Sequence, residues 1–220
     1  MLFEGFGPGA VRFFEELAAD NTREWWHAHK AWYESDVRGP LEHLLQDLAD
    51  EFGEAKVFRP NRDTRFSPDK SPYKTQAAAT VAEGTGTGVQ YMALSAEGLT
   101  VAGGCYMPAK DQLTRLREAI DDTDTGTQLE AIVADLREAK ARVEARETLK
   151  TAPRGYPVDH PRIELLRGKG IIGYFEHTPQ PWLQTPRARE VVAEGWRSLE
   201  PLNTWLDLNV GPSTLPATRR

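Results

Sequence analysis

One cysteine, Cys105, is the most informative scarcity in this 220-residue chain. A single thiol excludes an internal disulfide and any metal site built from paired cysteines. It also suits a reducing compartment. No apolar run approaches the ~20 residues that a membrane-spanning helix requires. The opening residues, MLFEGFGPG, carry no basic leader ahead of an apolar core, so they do not read as a secretory signal. There is no Ser-His-Asp order, nucleophile elbow or HExxH helix, the usual marks of hydrolytic chemistry. The expectation is a soluble cytoplasmic protein with no membrane partner and no metal site. No cofactor can be named.

Positive charge is scarce overall and concentrated where it occurs. The chain carries 27 basic and 33 acidic residues, a net charge of −6. Residues 56–75 hold Lys56, Arg59, Arg62, Arg65, Lys70 and Lys74 against Asp63 and Asp69, a local charge of +4 that leaves −10 for the rest. A nucleic-acid binder spreads basic charge over a face. A local cluster fits a small anionic ligand or an internal ion-pair network better, so nucleic acid ranks third among the partners considered.

Apolar spacing divides the chain into helical and extended stretches. Val11, Phe14 and Leu17 repeat at helical intervals, with Phe13 beside them. Asn21 followed by Glu24 reads as a capping box for a second helix, with Trp25, Trp32 and Tyr33 on its apolar side. Gly39-Pro40 is expected to break that helix and open a third, carried by Leu41, Leu44, Leu45, Leu48 and Phe52. Strands follow at 74–82, 89–96 and 99–107, the last two joined by a Glu97-Gly98 hairpin step. Their small residues, Ala77–Ala79 and Gly103-Gly104, leave room for close approach by a helix or a ligand.

Two helical patterns, a proline-rich loop (residues 151–162), a strand near 171–177 and an amphipathic C-terminal helix complete the chain. That helix carries Val192, Trp196, Leu199 and Leu202. The expected fold is α+β: an antiparallel sheet from residues 74–107 plus 171–177, packed against N-terminal and C-terminal helices. One domain is expected over residues 1–211, with a flexible tail from 212 to 220.

Several motifs carry little chemistry. GTGTG (84–88) lacks the spacing of a dinucleotide fingerprint and reads as a flexible connection. His27 and His29 point about 200° apart on a helix and cannot share one metal. Cys105 reads as a small buried hydrophobe. His160, next to Asp159 in the proline-bounded loop, is a candidate acid–base group, or else a histidine that bonds its own turn.

The stretch RPNRDTRFSPDKSPYKT (59–75) is the centre of interest. Arginine offers a planar fork suited to phosphate and carboxylate, and lysine a mobile point charge. Arg59, Arg62, Arg65, Lys70, Tyr73 and Lys74 are the candidate anion-binding residues. Asp63 is a candidate base or an orienter of arginine. Against this stands an ion-pair network that neutralises the cations in place. The protein would then be a non-catalytic interaction module, with Trp25, Trp26, Trp32 and Tyr33 as its contact surface.

Arg59-x-x-Arg62-Asp63-x-Arg65-Phe66-x-x-Asp69-Lys70-x-x-Tyr73 resembles the signature of a bacterial and fungal family of unknown function. That family is marked by R-x-x-R-D-x-R-F followed by D/N-K-x-x-Y. NTREWWHAHKAWYE is similar to the family's N-terminal segment, with Trp26 where phenylalanine is usual and Asp20-Asn21 where two asparagines are usual. GLTVAGGCYMP, LTRLREAI and RGYPVDHPR match later segments. The resemblance implies no established activity. It directs attention to the arginine motif.

Overall fold

The structure is a computed structural model that describes residues 2–65, 68–81 and 87–216. The described residues form an α+β fold with a six-stranded antiparallel sheet. Its strands are β1 (Ala55–Val57), β2 (Gln76–Val81), β3 (Val89–Ser95), β4 (Gly98–Cys105), β5 (Arg142–Glu144) and β6 (Ile171–His177), in the order β1-β2-β3-β4-β6-β5. The helices are α1 (Ala10–Ala19), α2 (Arg23–Tyr33), α3 (Gly39–Phe52), α4 (Lys110–Asp121), α5 (Thr123–Glu138), α6 (Ile163–Arg167) and α7 (Arg187–Asn209). None of the described helices is long and apolar enough to cross a membrane. By its contacts the chain divides into two compact units.

The first unit comprises Met1–Val81, Tyr91–Val101 and Glu176–Glu194. Its helices pack around Phe13, which is wholly buried. The rings of Phe14, Trp25, Trp26, Trp32 and Tyr33 all lie within 5.3–5.8 Å of Phe13, centroid to centroid. Trp26 and Tyr33 are the buried aromatics of α2, whereas Trp25 and Trp32 are half-buried. The spacing had favoured the Trp25–Trp32 stripe. Two aromatic stripes one residue apart both reach Phe13, and periodicity alone cannot rank them.

Two further expectations at this end are corrected. Thr22 rather than Asn21 caps α2, its hydroxyl accepting from the Trp25 N–H at 3.2 Å. Gly39-Pro40 opens α3 as expected, but the chain stays helical up to it instead of breaking. Pro40 has no N–H, so the Asp36 carbonyl lacks its helical donor. The chain widens there into a π turn, Glu34–Arg38, in which the Gly39 N–H donates to the Glu34 carbonyl. The Asp36 carbonyl instead accepts from the Gly7 N–H at 2.9 Å. Its carboxylate accepts from the Gly9 N–H at 2.8 Å. Gly9 has no side chain with which to cap α1, so Asp36 supplies the cap from another helix. Glycine is required at position 7, because a Cβ there would lie 2.3 Å from Asp36 Cγ.

The second unit comprises Ala82–Gln90, Ala102–Phe175 and Gly195–Arg220. Its core gathers Leu116, Ile120, Leu129, Val133 and Leu136 with Leu199, Leu202, Trp205 and Leu206 of α7. The small-sided strands here receive a helix. Leu199 lies over Gly103 and Gly173, where a Cβ would approach it to 3.0 and 2.6 Å. Cys105 is buried, and burial together with the Asp207 charge pushes its thiol up to about 11. Of GTGTG, residues 84–86 lie outside the described residues. The N–H groups of Thr87 and Gly88 both donate to the Asp207 carboxylate.

The tail differs from expectation at its start. Ser213 Oγ donates to Asp111 at 2.7 Å and the Thr214 N–H at 2.8 Å. Arg115 holds the Pro212 carbonyl at 2.8 Å. Against the raising effect of burial, the donors of Thr214, Ser213 and Arg115 to Asp111 draw its carboxyl well below the usual range. The tail is therefore docked through residue 214, by polar contacts that an apolar pattern cannot reveal. Residues 217–220 lie outside the described residues.

Candidate functional site

The arginine motif is the far end of the β1–β2 hairpin. Val57 sits opposite Ala79 in the ladder, and Asn61 opposite Tyr73 in an isolated bridge. Between these pairs three residues on one side, 58–60, face five on the other, 74–78. The mismatch is a bulge, which bends and twists a hairpin arm. Pro60 and Pro72 serve as acceptors: Lys74 N–H donates to the Pro60 carbonyl at 2.9 Å, and Arg62 N–H to the Pro72 carbonyl at 2.8 Å. Proline has no N–H to contribute to a ladder but keeps its carbonyl.

The tip fixes its cations in three ways. Arg62 pairs through Nη1 with Asp69. Asp69 is in turn held by the Ser71 N–H at 2.9 Å, and that bond, more than the arginine, lowers its carboxyl below the usual range. Arg65 grips Asp63 with Nε at 3.0 Å and Nη2 at 2.7 Å. That fork and the Arg65 N–H bring the Asp63 carboxyl down to about 2. Lys70 and Lys74 donate to main-chain carbonyls, of Thr64 at 2.8 Å and of Arg59 at 3.0 Å. Lys74 also stands 5.3 Å over the Phe58 ring.

Compensation is incomplete. The Arg59 side chain is exposed and makes no hydrogen bond among the described residues. Arg62 Nε is buried and has no acceptor among the described residues. The lysine at 74 is shifted below its ordinary value, chiefly by burial and then by the charges of Arg59 and Arg62. Cations crowd one another here.

A lock outside the motif holds the hairpin in place. Tyr73 is buried and stacks on Trp26, centroids 4.3 Å apart and planes at 12°. The Asn21 amide brackets the Tyr73 backbone, donating to its carbonyl at 3.0 Å and accepting from its N–H at 3.1 Å. Tyr73 thus serves as an anchor, with its ring buried against Trp26. Sequence reasoning missed this role for Asn21, since the partner lies 52 residues away. The one available signal was the similarity of the Asn21–Trp26 segment to the same family as the motif.

His160 belongs to the second unit and has partners there. Its Nδ1 accepts from the Arg162 N–H at 3.0 Å, and its Nε2 meets Asp121 at 3.0 Å. With Nδ1 as acceptor, the proton sits on Nε2 and points at the carboxylate. Both ring nitrogens are occupied in tying the loop to the end of α4.

The neighbouring Arg162 does more. Its guanidinium donates to Glu130 at 2.8 Å, to Thr127 at 2.9 Å, and to the carbonyls of Ile120 and Asp122 at 3.2 and 3.1 Å. It therefore satisfies orphan carbonyls at the C-terminus of α4. Gly126 makes room for it, since a Cβ would lie 2.5 Å from Arg162 Nη1.

Of the four aromatic residues expected as a contact surface, two are buried and two half-buried. Trp26 and Tyr33 are 5% and 3% exposed and cannot meet a partner. Trp25 is covered on one face by His29, stacked at 4.1 Å. The family model described as "Conserved hypothetical protein (DUF2461)" matches residues 9–205. No curated protein and no solved structure matches the chain.

Proposed function

The chain belongs to the conserved hypothetical protein family DUF2461, and on that footing we propose that it holds the phosphate or carboxylate group of a small molecule on the hairpin 59–74. Arg62 carries the proposal. Asp69 occupies its Nη1, while its buried Nε faces no acceptor among the described residues. An unsatisfied buried donor costs about 1–3 kcal/mol. A site that receives an oxyanion accounts for that cost, because the guanidinium fork takes two oxygens at once.

Arg59 and Lys74 supply the remaining attraction. Asp63 aims Arg65 in this scheme and takes no proton, since a carboxylate that titrates near 2 is a feeble base at neutral pH. Tyr73 and Asn21 seat the hairpin. His160 ties a loop to the end of α4 and has no part in this scheme.

An ion-pair lock without a ligand is the alternative, and four contacts favour it. Arg62, Arg65, Lys70 and Lys74 each have a partner within the hairpin. These contacts lie at the surface, where ion pairs stabilise little.

Thermal melting of the parent, Arg62→Met and Arg65→Met, with and without phosphate, sulfate and nucleotides at matched ionic strength, separates the two. A ligand at 100 times its dissociation constant adds about 2.7 kcal/mol, a shift of several degrees. The expected result is such a shift in the parent, a smaller one in Arg62→Met, and ligand-free variants that melt near the parent. Severe destabilisation of both variants, with no anion-dependent shift in the parent, leaves the arginines as architecture.

A further inference from the structure

Resting on the anion reading of the hairpin, we propose that the site selects a doubly charged phosphate monoester over singly charged anions, carboxylates and phosphodiesters alike. The hairpin 59–74 holds five cations and two carboxylates. Asp69 is committed to Arg62 and Asp63 to Arg65. Arg59, Lys70 and Lys74 then have no carboxylate partner among the described residues. Main-chain carbonyls take one N–H each from Lys70 and Lys74. Such a bond satisfies a donor but cancels no charge, and an ammonium keeps two further donors.

Three positive charges therefore stand without a carboxylate on a short hairpin, the Lys74 ammonium held 3.0 Å from the Arg59 carbonyl. A monoanion would leave two of them and a dianion one. The donors agree with the charges. The Arg59 fork and the spare Lys74 protons supply enough donors for the three terminal oxygens of a monoester. A diester or a carboxylate presents only two. Lys74 is also held in place before any ligand arrives, by the Arg59 carbonyl and the Phe58 ring. The lowered proton affinity of Lys74 comes chiefly from burial, with the charges of Arg59 and Arg62 adding to it.

A polynucleotide backbone consists of diesters, so the selectivity also weighs against nucleic acid. The monoester could come from a small phosphorylated metabolite or from a phosphorylated side chain, and both present the same group.

The test is titration calorimetry on the full chain at pH 7.5, where a monoester is mostly dianionic. Methyl phosphate, dimethyl phosphate and acetate are compared at matched ionic strength. A sugar phosphate and a phosphoserine peptide distinguish the two sources. Methyl phosphate should bind at least about tenfold more tightly than the other two simple anions, the worth of one added charged hydrogen bond. Arg59→Gln and Lys74→Gln should each weaken methyl phosphate about tenfold and narrow its lead. Arg59→Gln should do so with an unchanged melting temperature, because that side chain holds nothing in the fold. Equal binding of methyl phosphate, dimethyl phosphate and acetate would overturn the selectivity and leave the anion site standing. Binding of none of the anions would remove both.

Discussion

Tyr73 lies flat against Trp26, ring planes 12° apart and centroids 4.3 Å apart, and so fastens the arginine hairpin to α2. The Asn21 amide completes the fastening from both sides of the Tyr73 peptide. Replacing Asn21 by Ala strands a part-buried N–H and carbonyl. The expected loss is about 1–3 kcal/mol in a urea or thermal melt. Trp26→Ala removes a buried aromatic and should cost about 3–5 kcal/mol. A parent-like melt for Asn21→Ala would mean that the hairpin is seated by the ring stack alone.

Asp63 offers a pH probe. Its folded carboxyl titrates at about 2, below the ordinary value of 3.8. The Asp63–Arg65 interaction therefore contributes fully above the unfolded value and fades as pH falls from about 4 through 2. Carboxyl carbon shifts followed by NMR should place the midpoint of Asp63 near 2. In Arg65→Met that midpoint should move up toward the ordinary value, and an unmoved midpoint would assign the shift to another partner.

Cys105 should behave in the opposite sense. Its folded thiol is pushed up to about 11. The unfolded chain ionises above about 8.5, so stability falls as pH rises from there toward 11. At pH 8 a thiol reagent should label Cys105 slowly in the native protein and fast in denaturant. Fast native labelling would show that the thiol is reached without unfolding.

Gly126 and Arg162 make a reciprocal pair. Glycine inside a helix is usually worse than alanine by roughly 1 kcal/mol. Here Gly126→Ala should destabilise, since the new Cβ would meet the Ile120 carbonyl oxygen at 2.4 Å and Arg162 Nη1 at 2.5 Å. Arg162→Lys should also lose about 2–3 kcal/mol, because one ammonium cannot reach the spread of acceptors that the guanidinium serves. If the double variant melts no lower than the worse single one, the two positions act through one contact.

The start of the tail supplies a truncation test. Ending the chain at Gly211 removes the Ser213 and Thr214 donors from Asp111. The melting temperature should drop by a few degrees. Asp111→Asn should reproduce the drop, and truncation should then add little to it. An unchanged melt would mean that the docked tail contributes nothing to stability.

What the sequence disclosed depended on range. Strands β2, β3, β4 and β6 run for six residues or more and were legible. Strands β1 and β5 have three residues each, too few for a period to register, and they are fixed by partners elsewhere. The cation cluster was plain from composition, but its pairing was not. Extended-chain alternation would have set Arg59, Asp63 and Arg65 on one side and Arg62 on the other. A bulge and turn at the hairpin end cancel that rule. The roles of Asn21, Arg162 and Asp36 rest on contacts distant in sequence, which no local pattern encodes.

Asp36 lends its carbonyl to Gly7 only because Pro40 leaves that carbonyl idle, and it is idle only once residues 23–52 are helical. The first helix in the chain is therefore not the first that can be completed. Helices form locally within about a microsecond, whereas an anchor far along the chain must wait for loop closure. A nascent chain that has emerged only as far as α1 has no cap for it. The N-terminal segment acquires its starting point from residues translated afterwards.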